Sequence, residues 1–327
     1  MLKDKRNYLI AILFVIFAIA VYFALFAGNQ DWGLHFVKKL FALNGDTDSV
    51  IIESLRLPRV LRAVIAGSAL ATAGLFLQSV SKNPLAEPYI TGISSGAGLA
   101  IVASVLFFGG ANYTVFGFFG ALTASLLVIT FCGFGKFSVS KLILVGMSVN
   151  MFASSIISFS ILLNPDKTYA LIYILSGGVS EGVEISLKML AVLAFTGFLM
   201  SVIFIPKLNF FRLDSALMPQ YKKQRELNTF LIIAVSAFLS ALSVLAAGIL
   251  GFVGIIAPLI SKILVGNDYR WLYFTNILIG SILILMSDFI SRCAIYPLQI
   301  PLGLVVAFIG APIFVYFLME KRGIFND

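Results

Sequence analysis

The sequence predicts an all-α polytopic membrane protein with about ten transmembrane helices, and two observations carry the prediction. The first is charge. Of 327 residues only 12% are Asp, Glu, Lys or Arg, whereas 60% are hydrophobic, and water-facing domains carry roughly 25% charged residues. The second is arrangement. The apolar residues fall in blocks of about 16–25, the helix length that crosses a hydrocarbon core of about 30 Å. The short alternating segments of a β-barrel are absent from the sequence. Residues 1–327 read as a single transmembrane domain.

Lys3, Lys5 and Arg6 precede the first apolar run, Tyr8 to Phe26. That run is too long for a signal-peptide core and no small-residue cleavage site follows it, so it reads as span 1. A polar stretch to about Ser54 follows. Further spans are expected at about 60–79, 93–109, 115–133, 142–163, 187–205, 228–250, 251–266, 271–291 and 302–319. The stretch 228–266 is apolar almost throughout, but 39 residues of helix would be about 58 Å long, roughly twice the membrane. It must therefore contain two spans.

Ten alternating spans place fourteen Lys and Arg residues in cytoplasmic segments. Six, namely Lys38, Lys39, Arg56, Arg59, Lys167 and Arg292, fall outside. The positive-inside rule thus supports ten spans with both termini in the cytoplasm. It also accounts for the net charge of +8 without nucleic acid as a partner. Segment 164–186 is external, and its apolar run, Tyr169 to Leu175, is too short to cross. It reads as a re-entrant or interfacial helix ended by Gly177-Gly178. Segment 206–227 is the longest cytoplasmic segment, and a loop of that length suggests a docking element for a partner.

Little in the chain supports catalysis. His35 is the only histidine, and Cys132 and Cys293 lie in or beside apolar blocks without metal-ligand spacing. No phosphate-binding loop is present: GFGK at 133–136 lacks the first glycine and is followed by Phe137. Asp288 is the deeply placed carboxylate. Arg292 stands four residues on, one helical turn away, so an intramembrane ion pair is expected, with a transport role for Asp288 as the other reading. Gly67, Ala71 and Gly74 mark a face for close helix packing. Asn83-Pro84 with Glu87-Pro88 fixes a rigid turn that could gate a pore.

Four blocks together resemble the permease subunits of the FecCD-type ABC importers, the type II family that carries iron–siderophore complexes, haem and cobalamin. They are RLPRVLRAVIAGSALATAGLFLQSVSKNPLAEPYITGISSGAGLA at 56–100, LSGGVSEG at 175–182, GILGFVGIIAPLISKILVGNDYR at 248–270 and LQIPLGLVVAFIGAPIFVYFL at 298–318. The resemblance implies the type II importer permease fold, a paired permease (homodimer or close heterodimer), two ATP-binding subunits at the cytoplasmic face and an external substrate-binding protein. ATP and Mg would bind the partner ATPase, leaving this chain without a cofactor and without enzymatic activity.

Position by position, it implies that Arg56, Arg59 and Arg292 dock the binding protein. Asn83 and Leu85, with Ser138 and Val139, would form the cytoplasmic gate. Arg212, Leu213, Asp214, Ser215 and Ala216 would couple to the ATPase. Two departures stand out: that coupling stretch differs from the Gly-Glu and Ala-rich pattern of the family, and Leu259 replaces a common histidine after Pro258. The expected function is ATP-driven import of an iron–siderophore complex, haem or cobalamin through the cytoplasmic membrane. A secondary carrier of the same fold, working without an ATPase, is the alternative.

Overall fold

The computed structural model describes residues 2–26, 52–132, 139–179, 185–211, 222–295 and 298–320. Among them are eleven α-helices. In chain order these are α1 (Leu2–Phe26), α2 (Leu57–Ser81), α3 (Ile93–Phe107), α4 (Tyr113–Cys132), α5 (Val139–Leu162) and α6 (Thr168–Leu175). After them come α7 (Leu187–Phe211), α8 (Lys222–Ala247), α9 (Val253–Val265), α10 (Tyr269–Cys293) and α11 (Leu302–Glu320). All ten stretches read as spans are helical, and the short run before Gly177-Gly178 forms α6.

Seven of the helices are long and apolar enough to cross a membrane, whereas Ile93–Phe107, Val253–Val265 and Leu302–Phe317 are shorter. The expected spans 93–109 and 251–266 are thus cut back. The reason is local: a turn at 108–112 ends the first two residues early, and irregular backbone at 248–252 takes the start of the second. The division of 228–266 falls at Gly248–Phe252, between α8 and α9.

The centre of the bundle is α2. A single π-turn, Ile52–Arg56, leads into it, and Pro58 occupies its first turn, where a missing N–H costs nothing. Lys82 ends it in the left-handed conformation at φ 50°. From Ala66 to Val80 every residue is buried. In lipid there is little hydrophobic force between helices, so backbones must come close for dispersion to hold them. Glycine permits this twice. A Cβ on Gly67 would lie 2.2 Å from the Gly280 carbonyl oxygen of α10, and one on Gly74 would lie 1.9 Å from that of Gly254 in α9. Between α3 and α4, Gly96 and Gly120 make a third such crossing.

Polar side chains add specific ties. Ser236 in α8 donates to the Ala73 carbonyl at 2.8 Å, and the Ser201 and Tyr273 hydroxyls share a buried hydrogen bond of 2.6 Å between α7 and α10. Such bonds are worth about 0.6 kcal/mol on average inside membranes. Tyr273→Phe is therefore expected to lower unfolding stability in bicelles by about 0.5–1 kcal/mol. A loss above about 3 kcal/mol would mean that the hydroxyl does more than tie two helices.

Candidate functional site

Two clusters of polar groups and tight turns lie at opposite ends of α2, and the connection Gly248–Phe252 joins them. At the N-terminal end, α2 and α10 run antiparallel in the register set by Gly67 and Gly280, which brings Arg59 beside Asp288. Arg59 Nε donates to the Asp288 carboxylate at 3.0 and 3.3 Å, and Arg292 Nε donates to it at 3.1 Å. Arg59 Nη2 also reaches Gln299 Oε1 at 3.5 Å. Asp288 is 1% exposed and Arg59 8%.

The end of α1 closes this cluster. Arg56 Nη1 donates to the Leu25 carbonyl at 2.8 Å, and Arg292 Nη2 donates to the Ala24 carbonyl at 3.1 Å. These carbonyls belong to the last helical turn, which has no partners of its own and carries the negative end of the helix dipole. All three arginines assigned to docking thus meet here, and each also holds the fold together. The pairing of Asp288 with Arg292 follows from helical spacing. Arg59, 229 positions away from Asp288, does not, and the signal that could have found it was the facing glycines Gly67 and Gly280.

Beside Arg59 opens a cavity of about 200 Å³ lined by Tyr113, Tyr173, Gly177, Ser291 and Gln299 among others. Its floor is a junction of turns. Gly177, at φ 74°, accepts from Leu302 N through its carbonyl at 3.1 Å, and Ser176 accepts from Gly303 N at 3.0 Å. Gly178 N donates to the Ala247 carbonyl at 3.0 Å. A Cβ on Gly303 would stand 2.3 Å from the Ser176 oxygen. The sequence blocks 175–182, 248–270 and 298–318 therefore meet in one place, each supplying hydrogen bonds that the others lack.

The other cluster is the turn after α2. Asn83 Oδ1 accepts from Leu85 N at 2.9 Å, closing a side-chain turn that leaves Leu85 exposed. Glu87 Oε1 accepts from Phe252 N at 2.8 Å, capping the start of α9, where Phe252 itself is left-handed at φ 66°. The Tyr89 hydroxyl is hydrogen-bonded to the backbone of Leu250. Asn150 in α5 donates to the Tyr89 carbonyl at 2.8 Å, and its Oδ1 is held by Ser95. The turn is thus fastened to α9 by Glu87 and to α5 by Asn150. The sequence reading saw Glu87 only as part of a rigid turn and missed Asn150, an amide on an otherwise apolar helix being the one available cue.

Burial pushes the Glu87 carboxyl up from its ordinary 4.5 to about 7, although the Phe252 N–H favours the ionised form. Burial and the Glu87 charge together raise the Tyr89 hydroxyl well above its usual range. Nearby, Gln78 receives the Lys262 ammonium at 2.9 Å and donates to the Gly254 carbonyl at 3.3 Å. Leu259, where the resemblance suggested a histidine, is buried in α9.

Ser138 and the coupling residues Arg212, Leu213, Asp214, Ser215 and Ala216 lie outside the described residues, as do 212–221 of segment 206–227; Val139 opens α5. Among the described residues no three His, Cys, Asp or Glu side chains gather where a metal could be held.

The profile of the FecCD transport family matches residues 15–320. The chain is 30% identical over 325 residues to the Fe(3+)-citrate import system permease protein YfmD of Bacillus subtilis, covering 98% of this chain and 97% of that one. It is likewise 30% identical to the vitamin B12 import system permease protein BtuC of Serratia proteamaculans, with 98% and 95% covered. A solved inward-facing ABC transporter described as being of the metal-chelate type superposes with a TM-score of 0.82 at 26% identity, covering 96% of this chain and 99% of that one. Ten apolar stretches in the expected order, turn junctions built from the expected blocks and a family match over almost the whole length agree: the chain belongs to the FecCD transport family.

Proposed function

We propose that this chain is the membrane-spanning subunit of an ATP-driven importer that carries a ferric chelate, or a corrinoid such as vitamin B12, from an external binding protein into the cytoplasm. In this reading both termini are cytoplasmic, a second copy completes the pathway, and two separate ATP-binding subunits supply ATP and Mg. The Arg56, Arg59 and Arg292 end faces outward and receives the binding protein. The Asn83–Leu85 turn, with Ser138 and Val139, faces inward as a gate, and Arg212 to Ala216 meet the ATPase.

The observation that carries the reading is the link between the two ends. Gly248–Phe252 touches the Gly177 turn at one side and Glu87 and Tyr89 at the other, so one short connection joins the two turns. The face of α5 lends further support. It leaves Ser148, Ser154, Ser155 and Ser158 exposed beside Met147 and Met151. Hydroxyls are poor groups to turn toward lipid and good ones for lining a wet conduit. Ferric citrate is the first probe, because the YfmD relative is described as an Fe(3+)-citrate permease.

The decisive experiment is uptake of ⁵⁵Fe-citrate by proteoliposomes holding the chain, its ATPase and its binding protein. Uptake that needs ATP and falls at least tenfold when Arg56, Arg59 and Arg292 are all changed to Glu is expected. Uptake that persists without the ATPase and collapses with a protonophore would replace this reading by the secondary carrier.

A further inference from the structure

Between α3, α4 and α5 runs an apolar groove of about 880 Å³ that neither cluster described above uses. Its floor is α3, held against α4 at the Gly96–Gly120 crossing, and its walls are α4 and α5. Leu127 and Phe131 of α4 and Leu144 and Phe152 of α5 stand exposed on those walls. The lining holds two hydroxyls, Thr123 and Ser148, and both donate back into their own helices. They reach the Gly120 and Leu144 carbonyls at 3.1 and 2.9 Å, so they offer no donor to an occupant. Ser154 and Ser158, read above as conduit lining, do not border the groove. The space is built for hydrocarbon.

Length and charge narrow the occupant further. The lining runs from Gly120 to Phe131 along α4 and from Leu144 to Ala153 along α5, about 13–17 Å at roughly 1.5 Å per residue. That is the depth of one leaflet in a hydrocarbon core of about 30 Å. A helix from a second copy would need a seat across both leaflets, whereas an acyl chain needs only one. The groove reaches the end where α4 finishes and α5 begins, and Lys141 stands exposed there, one helical turn before Leu144. The Lys141 charge acts on the thiol of Cys132, the last residue of α4, so the ammonium lies at the mouth between the two walls. Among the described residues no carboxylate pairs with it.

We propose that this groove is a binding site for an anionic phospholipid, whose acyl chains fill the space while Lys141 holds the headgroup at the mouth. Assignment to the cytoplasmic leaflet rests on the orientation in the importer reading. An empty groove of this size would forfeit dispersion contacts along both walls, and any acyl chain restores them. The lysine selects the lipid, since one basic side chain at the membrane surface favours an anionic headgroup about fivefold.

The test is native mass spectrometry of the purified full chain released from detergent, with dioleoyl phosphatidylglycerol or dioleoyl phosphatidylcholine added as probe. The first lipid bound is expected to be phosphatidylglycerol, with a preference of about fivefold. Lys141→Glu and the milder Lys141→Gln are both expected to remove that preference and leave phosphatidylcholine binding unchanged. Thr123→Phe, at an exposed wall position, narrows the groove and is expected to weaken both lipids about threefold. Equal affinity of the parent for the two lipids, or a preference that survives both Lys141 variants, would overturn the proposal. So would a Thr123→Phe variant with altered dimer fraction and unaltered lipid binding, because the groove would then seat a second copy. The measurement needs neither ATPase nor transport. Absent uptake with the lipid preference intact counts against the importer reading alone, and absent preference with uptake intact counts against the lipid site alone.

Discussion

Gly74→Ala is expected to prevent the bundle from assembling in its native packing. The added Cβ would lie 1.9 Å from the Gly254 oxygen and 2.6 Å from the Gly254 carbonyl carbon and Cα. These are backbone atoms, so no rotamer change relieves the clash, and α2 and α9 must separate. Separation also pulls Gly254 from its hydrogen bond with Gln78. Overpacking of this kind costs about 3 kcal/mol or more, a large share of a typical total stability. The measurement is the monodisperse fraction and the unfolding midpoint of the purified protein in detergent. Gly178→Ala serves as the comparison, since a Cβ there meets nothing within 4 Å, and its effect should stay within about 0.5 kcal/mol. Equal behaviour of the two variants would contradict the close crossing of α2 and α9.

The second large effect concerns pH. Glu87 lies in the connection between α2 and α3, outside the spans, and its carboxyl is raised from 4.5 to about 7 by burial. A folded-state value above the unfolded one means that the native protein holds the proton more tightly. Stability from this group is complete below about pH 4.5, declines as pH rises, and is gone above about 7. The shift corresponds to about 3 kcal/mol at most. Glu87→Gln keeps an acceptor for the Phe252 N–H but cannot ionise. The variant is expected to gain stability over the parent as pH rises from 5 to 8, with little difference at pH 4.5. Parallel pH profiles would mean that the carboxyl is not perturbed. In the importer reading that range covers cytoplasmic pH, so the latch between the Asn83 turn and α9 would weaken as Glu87 ionises.

How much could be read beforehand differs between elements. The ten apolar stretches were legible because hydrophobic length is a one-dimensional property. So was the break within 228–266, since no single helix of that length fits a bilayer. The short helix before Gly177-Gly178 was legible because seven apolar residues cannot cross. The shortening of α3 and α9 was not, because nothing in their composition shows how much backbone must stay irregular to meet a neighbour. Pairing of Asp288 with Arg292 could be read from helical spacing, whereas the approach of Arg59 depends on the antiparallel register of α2 and α10. Asn150 was invisible for the same reason: its partners, Tyr89 and Ser95, lie more than fifty positions away.

The sequence by itself determined the class of molecule, the number and order of its apolar segments and its family resemblance. All of these are set by local composition and by residues adjacent in the chain. The tertiary structure alone decided what the polar residues do. It turned three arginines into a clamp on the end of α1 and on one buried carboxylate, and it made Glu87 the cap of a helix 165 residues away. The physical reason is the solvent. Inside a bilayer each polar group must find its partner within the protein, and that partner is fixed by which helices cross and at which glycine.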